Sequence, residues 1–423
     1  MKINLSGNRT VNKIAIAFVL LYALATRSIL SRILFASTPQ VLLYYFICYV
    51  SLLICFINSF RRESNHLYAP RGFFSIGMVF FITSLGMLHA RSAKDVVLYG
   101  MAFLLPFSTT IKTIENLKLI RAFEIGGIII ATGTFLNFLM KQIYRSILPY
   151  IFMDSDLSSA QWVASIGTGF PGVFSQVNYT AFFLGIAIGA AFSFRKSIFS
   201  NVWVAIVTFM FAGVLLTGKR GAVVYIFATL LFCYFIEGRG KEKLFRVFKI
   251  VVFAMAAYGI LFLVARVTNV QGIKKIFETV QAFITGGKVD NTGRSQLQEQ
   301  AWRYFIGNPL FGIGWGNFRK MFTLRSTHVH CIYLQLLCEM GTVGAGIYYL
   351  FFFKQILLGI NKFKATVVTE KINENAWIEF SLFGIVYFLL FGLTENPIYD
   401  LEEFIFFMFF VGIINLPILK HSG

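Results

Sequence analysis

In the stretch LRSTHVHCIYLQLLCEMGTVGAG, residues 324–346, two histidines stand one residue apart, just before a long apolar run. Imidazole titrates near neutrality, so His328 or His330 is suited to take a proton from a hydroxyl group. The i,i+2 spacing puts the two rings on opposite faces of an extended chain and far apart around a helix. One pocket therefore does not use both in the same way. A metal pair finds little support, because no H-E-x-x-H pattern or cluster of carboxylates accompanies the histidines. The alternative is a histidine at a membrane edge with no chemical role.

The cations nearby suggest what such a base would work beside. In LLTGKRGAVVYIF, residues 215–227, Lys219 and Arg220 sit between two apolar runs that leave almost no loop. Cations at that depth are costly unless they snorkel to water or meet an anion. Gly218 and Gly221 fit a phosphate approaching the backbone, and equally a tight turn. In NTGRSQLQEQAW, Arg294 falls at a helix start that Asn291 or Thr292 can cap. A helix N-terminus favours anions, and the guanidinium fork matches phosphate oxygens, although an ordinary surface arginine reads the same way. From Arg266 to Arg325 nine cationic residues, Arg319, Lys320 and Arg325 among them, face three acidic ones. An anionic substrate or lipid phosphates would account for this surplus. TENPIYDLEEF, residues 394–404, reads as a polar turn between the last two spans; the alternative is that Glu395 and Asp400 face one cavity.

These side chains must be placed by membrane helices. The chain has 423 residues, 57% hydrophobic and only 13% charged, with 50 Phe and a mean hydropathy of +0.71. Apolar runs of about 20 residues recur, each long enough to cross a bilayer. They are continuous and not alternating, which excludes a β-barrel. The expected fold is all-α, a polytopic integral membrane protein with about twelve spans. These are placed at 14–34, 39–59, 72–89, 95–111, 120–139, 178–194, 201–217, 221–236, 250–266, 332–353, 379–394 and 402–419. The short loops place their Lys and Arg so as to put both termini in the cytoplasm. The first apolar run lacks a cleavage site and reads as a retained helix. The organisation is then an N-terminal bundle at 1–139, an external loop at 140–177, helices at 178–266 with Arg220 at their edge, a long external loop at 267–331 carrying short helices, and C-terminal helices at 332–423. The net charge of +19 is explained partly by this topology and by anionic lipid, so nucleic acid is not implied. Five scattered cysteines form no metal or disulfide pattern. No Walker A motif is present, nor G-x-S-x-G.

In order, LLTGKRGAVV, TGRSQLQEQAWRYFIGNPLFGIGWGNF and HVHCIYLQLLCEMGTVGAG resemble the O-antigen ligase and O-antigen polymerase family of bacterial cell envelopes. The resemblance covers about 215–346. It implies an enzyme of the cytoplasmic (inner) membrane, with its site facing the periplasm. Such an enzyme transfers a glycan from a polyprenyl (undecaprenyl) diphosphate with inversion and needs neither metal nor nucleotide, so no cofactor is expected. As a repeat-unit polymerase for O-antigen, capsule or exopolysaccharide it would use an acceptor glycan; as a ligase it would use lipid A-core. A chain-length regulator and a flippase are the partner proteins implied. Carried over by position, Arg220 and Arg294 hold the diphosphate and stabilise the leaving charge, and His330 deprotonates the acceptor. Lys219, Arg319, Lys320, Arg325 and His328 would line the substrate. The family usually has Asn after the histidine, where this chain has Cys331. The rival classes are a transporter of lipid-linked glycans, which calls for polar residues in mid-span, and a non-catalytic assembly protein.

Overall fold

A computed structural model describes residues 5–35, 38–63, 66–166, 169–194, 200–238, 294–321, 327–368 and 372–417, together with isolated positions between 242 and 281. The described chain is almost wholly helical. In order come α1 (Leu5–Ala25), α2 (Ser31–Leu34), α3 (Thr38–Ser59), a hairpin of β1 (Arg61–Glu63) and β2 (His66–Tyr68), α4 (Phe73–His89), α5 (Ala93–Leu104) and α6 (Ile111–Glu115). Then follow α7 (Lys118–Leu139), α8 (Lys141–Ile151), α9 (Asp154–Ile166), α10 (Val177–Ser193), α11 (Ser200–Leu216) and α12 (Arg220–Glu237). Beyond them lie α13 (Arg294–Gly307), α14 (Asn317–Met321), α15 (Ile332–Val368), α16 (Ile372–Phe391) and α17 (Leu401–Asn415). The two strands pair antiparallel, with Arg62 opposite Leu67.

Among the described residues, five helices are long and apolar enough to cross a bilayer by themselves: α3, α7, α12, α15 and α16. Parts of α1 and α11, and α4 and α10, are shorter apolar helices. The molecule is a polytopic membrane protein. Its innermost elements, α10, α16 and α17, are buried almost all round. Small residues let them approach: Gly185 lies under the Tyr387 ring, and Gly189 under Phe383. Aromatic side chains fill the rest, with Phe388 stacked on Phe407 at 4.4 Å and Phe404 packed on Phe103.

Eleven of the expected spans overlap described helices; the span at 250–266 lies outside the described residues. Boundaries shift in several, as where α5 ends at Leu104 within the expected 95–111 and α16 begins at Ile372, ahead of 379. Three further differences have a clear physical reason. The first helix stops at Ala25 and not at 34, because Arg27 turns out of the helix to pair with Asp156 at 2.9 Å and Glu402 at 3.3 Å. The stretch 140–177 is not an open loop. It holds α8 and α9, which close over a small core of Tyr144, Leu148, Phe152 and Ala160.

The third difference concerns the run expected to span from 332. α15 is broken at Gly341, whose backbone (φ 63°, ψ −171°) is not helical. Tyr349 Oη donates to the Tyr333 carbonyl at 2.6 Å. Along a straight helix those residues would stand about 24 Å apart, so the two arms fold toward each other as a V. The first arm, 332–340, belongs to the site, and the second continues through the bundle.

Candidate functional site

Four polar segments meet at one end of the bundle. The first is the turn between α11 and α12. Gly218 (φ 71°) reverses the chain there, Lys219 precedes the first residue of α12, and the Phe170 amide donates to the Leu216 carbonyl. The second is the start of α13. The third is the segment 327–331 with the first arm of α15. The fourth is the turn 392–400 between α16 and α17, closed by Glu395 N–H to Phe391 O at 3.1 Å and Tyr399 N–H to Asn396 O at 2.9 Å.

Glu395 is where they converge. Its side chain is 8% exposed. Oε1 accepts from Lys219 Nζ at 3.0 Å and from Arg294 Nη2 at 3.2 Å. Oε2 accepts from Asn178 Nδ2 at 3.0 Å and faces His330 Nδ1 at 3.3 Å. Burial alone would raise its pKa. Lys219, the hydrogen bond to His330 and the charge of Arg294 overcome this and hold the carboxyl well below the usual carboxylate range. The reading of 394–404 as a mere polar turn is therefore corrected. An isolated Glu in a turn carries no pattern, and its importance comes from partners about 65, 101, 176 and 217 positions away.

His330 adopts a left-handed backbone (φ 57°), which is uncommon outside glycine and recurs at functional sites. With Nδ1 facing an ionised carboxylate, the hydrogen-bond network assigns the proton to Nδ1. Nε2 is left as an acceptor, and the Thr327 hydroxyl lies 3.3 Å from it. A base so oriented can accept a proton at Nε2 while Glu395 steadies the imidazolium that forms.

His328 is built differently. Gln335 Oε1 accepts from the Val329 amide at 3.1 Å, which fixes the amide so that Nε2 donates to His328 Nδ1 at 3.0 Å. The His328 proton then sits on Nε2. Burial, then the charges of Arg319 and His330, push its pKa down to about 4. His328 is a neutral member of the wall, held within 5.5 Å of the Tyr399 ring.

The glycine-punctuated segment before α14 docks on the break in α15. The kink frees carbonyls that a continuous helix would use. The Ile313 amide donates to Cys338 O at 3.0 Å and the Gly314 amide to Glu339 O at 2.8 Å, while the Thr342 amide donates back to Pro309 O at 2.8 Å. A Cβ at Gly341 would clash with the Leu310 carbonyl, and one at Gly312 with the Glu339 backbone. Glu339 completes the lock: Oε2 accepts from the Gly316 amide at 2.6 Å, and Oε1 from Phe318 N–H at 3.1 Å and Gln335 Nε2 at 3.3 Å. The i,i+4 pair Gln335 and Glu339 thus ties both loops to one helix face.

The structure brings Lys219, Arg294, His330 and His328 to this end. Arg294 is the first described residue of α13; the expected caps of that helix, Asn291 and Thr292, lie outside the described residues. Arg220 is half-buried as the first residue of α12. Arg319 and Lys320 are exposed on α14, where Lys320 Nζ donates to the Ala90 carbonyl at 3.3 Å, and Arg325 lies outside the described residues. Sequence reasoning missed Asn178 and set Glu395 and Asp400 aside as turn residues. Asp400 has a partner of its own: Tyr179 Oη donates to its Oδ1 at 2.9 Å, and burial together with Glu402 raises Asp400 to about 6. Among the described residues no group of three or more His, Cys, Asp or Glu side chains is arranged to hold a metal ion.

Residues 205–349, from α11 through the break in α15, match the family model described as O-antigen ligase. The resemblance read from the motifs at 215–346 is shown over this stretch, which includes Lys219, Arg294 and His330 but neither Glu395 nor Asn178. No curated protein matches the chain.

Proposed function

We propose that this membrane protein, similar over 205–349 to O-antigen ligases, transfers a glycan from a polyprenyl diphosphate to the hydroxyl of an acceptor sugar at the outer face of the cytoplasmic membrane. One observation carries this reading: His330 and two cations, Lys219 and Arg294, share a single buried carboxylate. The acceptor hydroxyl takes the place of the Thr327 hydroxyl at His330 Nε2. As that nitrogen takes its proton, the oxygen attacks the anomeric carbon from the face opposite the diphosphate. The carbon–oxygen bond to phosphate breaks, and the diphosphate leaves with the bonding electrons. Lys219 and Arg294, with Arg220 one residue from Lys219, neutralise that charge. In a poorly solvated site such stabilisation contributes several kcal/mol. The general base adds roughly 10²–10⁴-fold. The donor is already activated, so the reaction consumes no nucleotide.

As a repeat-unit polymerase, the protein takes a second lipid-linked glycan as acceptor. The ligase reading replaces that acceptor with lipid A-core. The test incubates purified protein with a polyprenyl-diphosphate repeat unit, without nucleotide and with EDTA, and separates products by size. A ladder from the repeat unit alone, lost in His330→Ala, supports polymerase activity. Product only on addition of lipid A-core supports ligation. Absence of product with either acceptor, from folded protein supplied with its matching glycan, overturns the transferase reading and favours transport or scaffolding.

A further inference from the structure

The α8 helix carries an apolar face that no other described segment covers. Of its residues Tyr144 and Leu148 are buried in the small core with α9, and Ile151 packs against it. Ile143 (58% exposed), Ile147 (39%) and Tyr150 (76%) form a second stripe at i, i+4, i+7 spacing. A soluble surface helix would place polar residues there.

The exposed stripe does not begin in α8. In α7, one of the helices able to cross a bilayer, Ile125, Ile129, Thr132, Leu136 and Leu139 are exposed, each three or four residues after the last. The same spacing carries through to Ile143, Ile147 and Tyr150. Between the two helices Met140 leaves helical geometry (φ −118°, ψ 47°), so the chain changes direction while the exposed face continues. Lys141 folds its ammonium over the Phe170 ring at 4.8 Å, and Tyr144 Oη donates to the Gly172 carbonyl at 2.7 Å. These contacts fix α8 at the end of the bundle where the Glu395 cluster lies.

Its charge pattern is one-sided. Lys141 and Arg145 occupy the face away from Ile143, and α8 contains no acidic residue. Arg32 joins this edge by donating to the Pro149 carbonyl. A helix with an aliphatic and aromatic face, a cationic edge and direct continuity with a lipid-facing span fits the headgroup–acyl boundary of a bilayer carrying anionic lipid.

We infer that α8 is an interfacial helix, seated on the bilayer surface through Ile143, Ile147 and Tyr150 with Lys141 and Arg145 toward lipid phosphates. Through α9 this seat is tied to the site's surroundings, since Asp156 pairs with Arg27 and Arg27 with Glu402. The helix would set the height at which the end of the bundle meets the membrane. This inference rests on the membrane fold and stands apart from the transferase reading.

The test is spin labelling of the full-length protein in vesicles made of equal parts phosphatidylethanolamine and phosphatidylglycerol. Nitroxides are attached at Ile147→Cys and, on the opposite face, Gln142→Cys, in a Cys331→Ser parent whose remaining cysteines are buried. Relaxation by molecular oxygen is compared with relaxation by a water-soluble nickel chelate. The expected result is a several-fold higher oxygen-to-nickel ratio at position 147 than at 142. Nickel-dominated relaxation at both positions would show a solvated helix and overturn the inference. Protection of position 147 from both reagents would show a protein partner there, and would overturn it as well.

Discussion

Among the single residues, one carboxylate serves two functions: Glu395 holds Lys219 and Arg294 and orients His330. Replacing Glu395 by Gln keeps the shape but leaves Lys219 and Arg294 without their buried partner and removes the charge that orients His330. Transfer is expected to fall by roughly 10²-fold or more, in line with loss of general-base function. Size-exclusion profiles will show whether the fold survives. Because its pKa is depressed, the stability Glu395 contributes is complete above about its unfolded value of 4.5 and is lost as pH falls below it. Asp400 has the opposite sign. Its pKa is raised from 3.8 to about 6, so the folded state binds that proton more tightly, and stability falls as pH rises through this window. Asp400→Asn should stabilise the protein at neutral pH by about 1–2 kcal/mol and flatten thermal stability between pH 4 and 6. His328 is already neutral above about pH 4, so His328→Gln should lower the rate without moving the acid limb of the pH–rate profile. A shifted limb would mean that His328, and not the wall it belongs to, carries the proton. Arg294→Lys preserves charge but not the guanidinium fork, and should cost roughly tenfold in transfer. Full activity would remove Arg294 from the diphosphate contact.

At the element scale, the glycine motif and the helix break explain each other. The Gly341 backbone lies in a region nearly closed to other residues, and an added Cβ would strike the Leu310 carbonyl. Gly341→Ala is expected to destabilise the protein by about 3 kcal/mol or more and to abolish activity through misplacement of His330. Gly346→Ala, five residues further along the helix and facing open space, is the control. There the gain in helix propensity should leave stability, read from thermal unfolding, unchanged or higher by up to about 1 kcal/mol. The helices themselves were largely legible in the sequence, because an apolar run of about 20 residues has few other fates. The break was not, because Gly341 sits among Gly344 and Gly346 and composition cannot tell a hinge from a packing contact. The end of α1 was misread for a related reason. Nothing local shows that Arg27 will leave the helix for Asp156, which lies 129 positions away.

At the scale of the whole molecule, the segments 327–331 and 392–400, the turn at 217–219 and the α8–α9 pair all lie at one end of the bundle. Exposed positions there should share one side of the membrane. Cysteines placed at Lys94, Gln142 and Leu393 are expected to react with an impermeant thiol reagent from outside intact cells, whereas one at Lys364 should react only after lysis. A mixed pattern would overturn the orientation drawn from Lys and Arg in the loops. His330 and Arg294 were legible because their motifs are compact in sequence. Asn178 was not, and Glu395 was legible only as one residue of a polar turn, since each is a single polar residue at the end of an apolar helix, made meaningful by the way α10 and α16 pack together.

The shared carboxylate has a further consequence for how the site fills. Glu395 balances one of the two charges on Lys219 and Arg294 from within, so an arriving diphosphate enters partly by ion exchange, displacing an internal counter-ion. Donor affinity in the native protein should therefore change less with salt concentration than the full charge of the two cations implies. In Glu395→Gln, where that counter-ion is gone, the same affinity should fall steeply as salt is added.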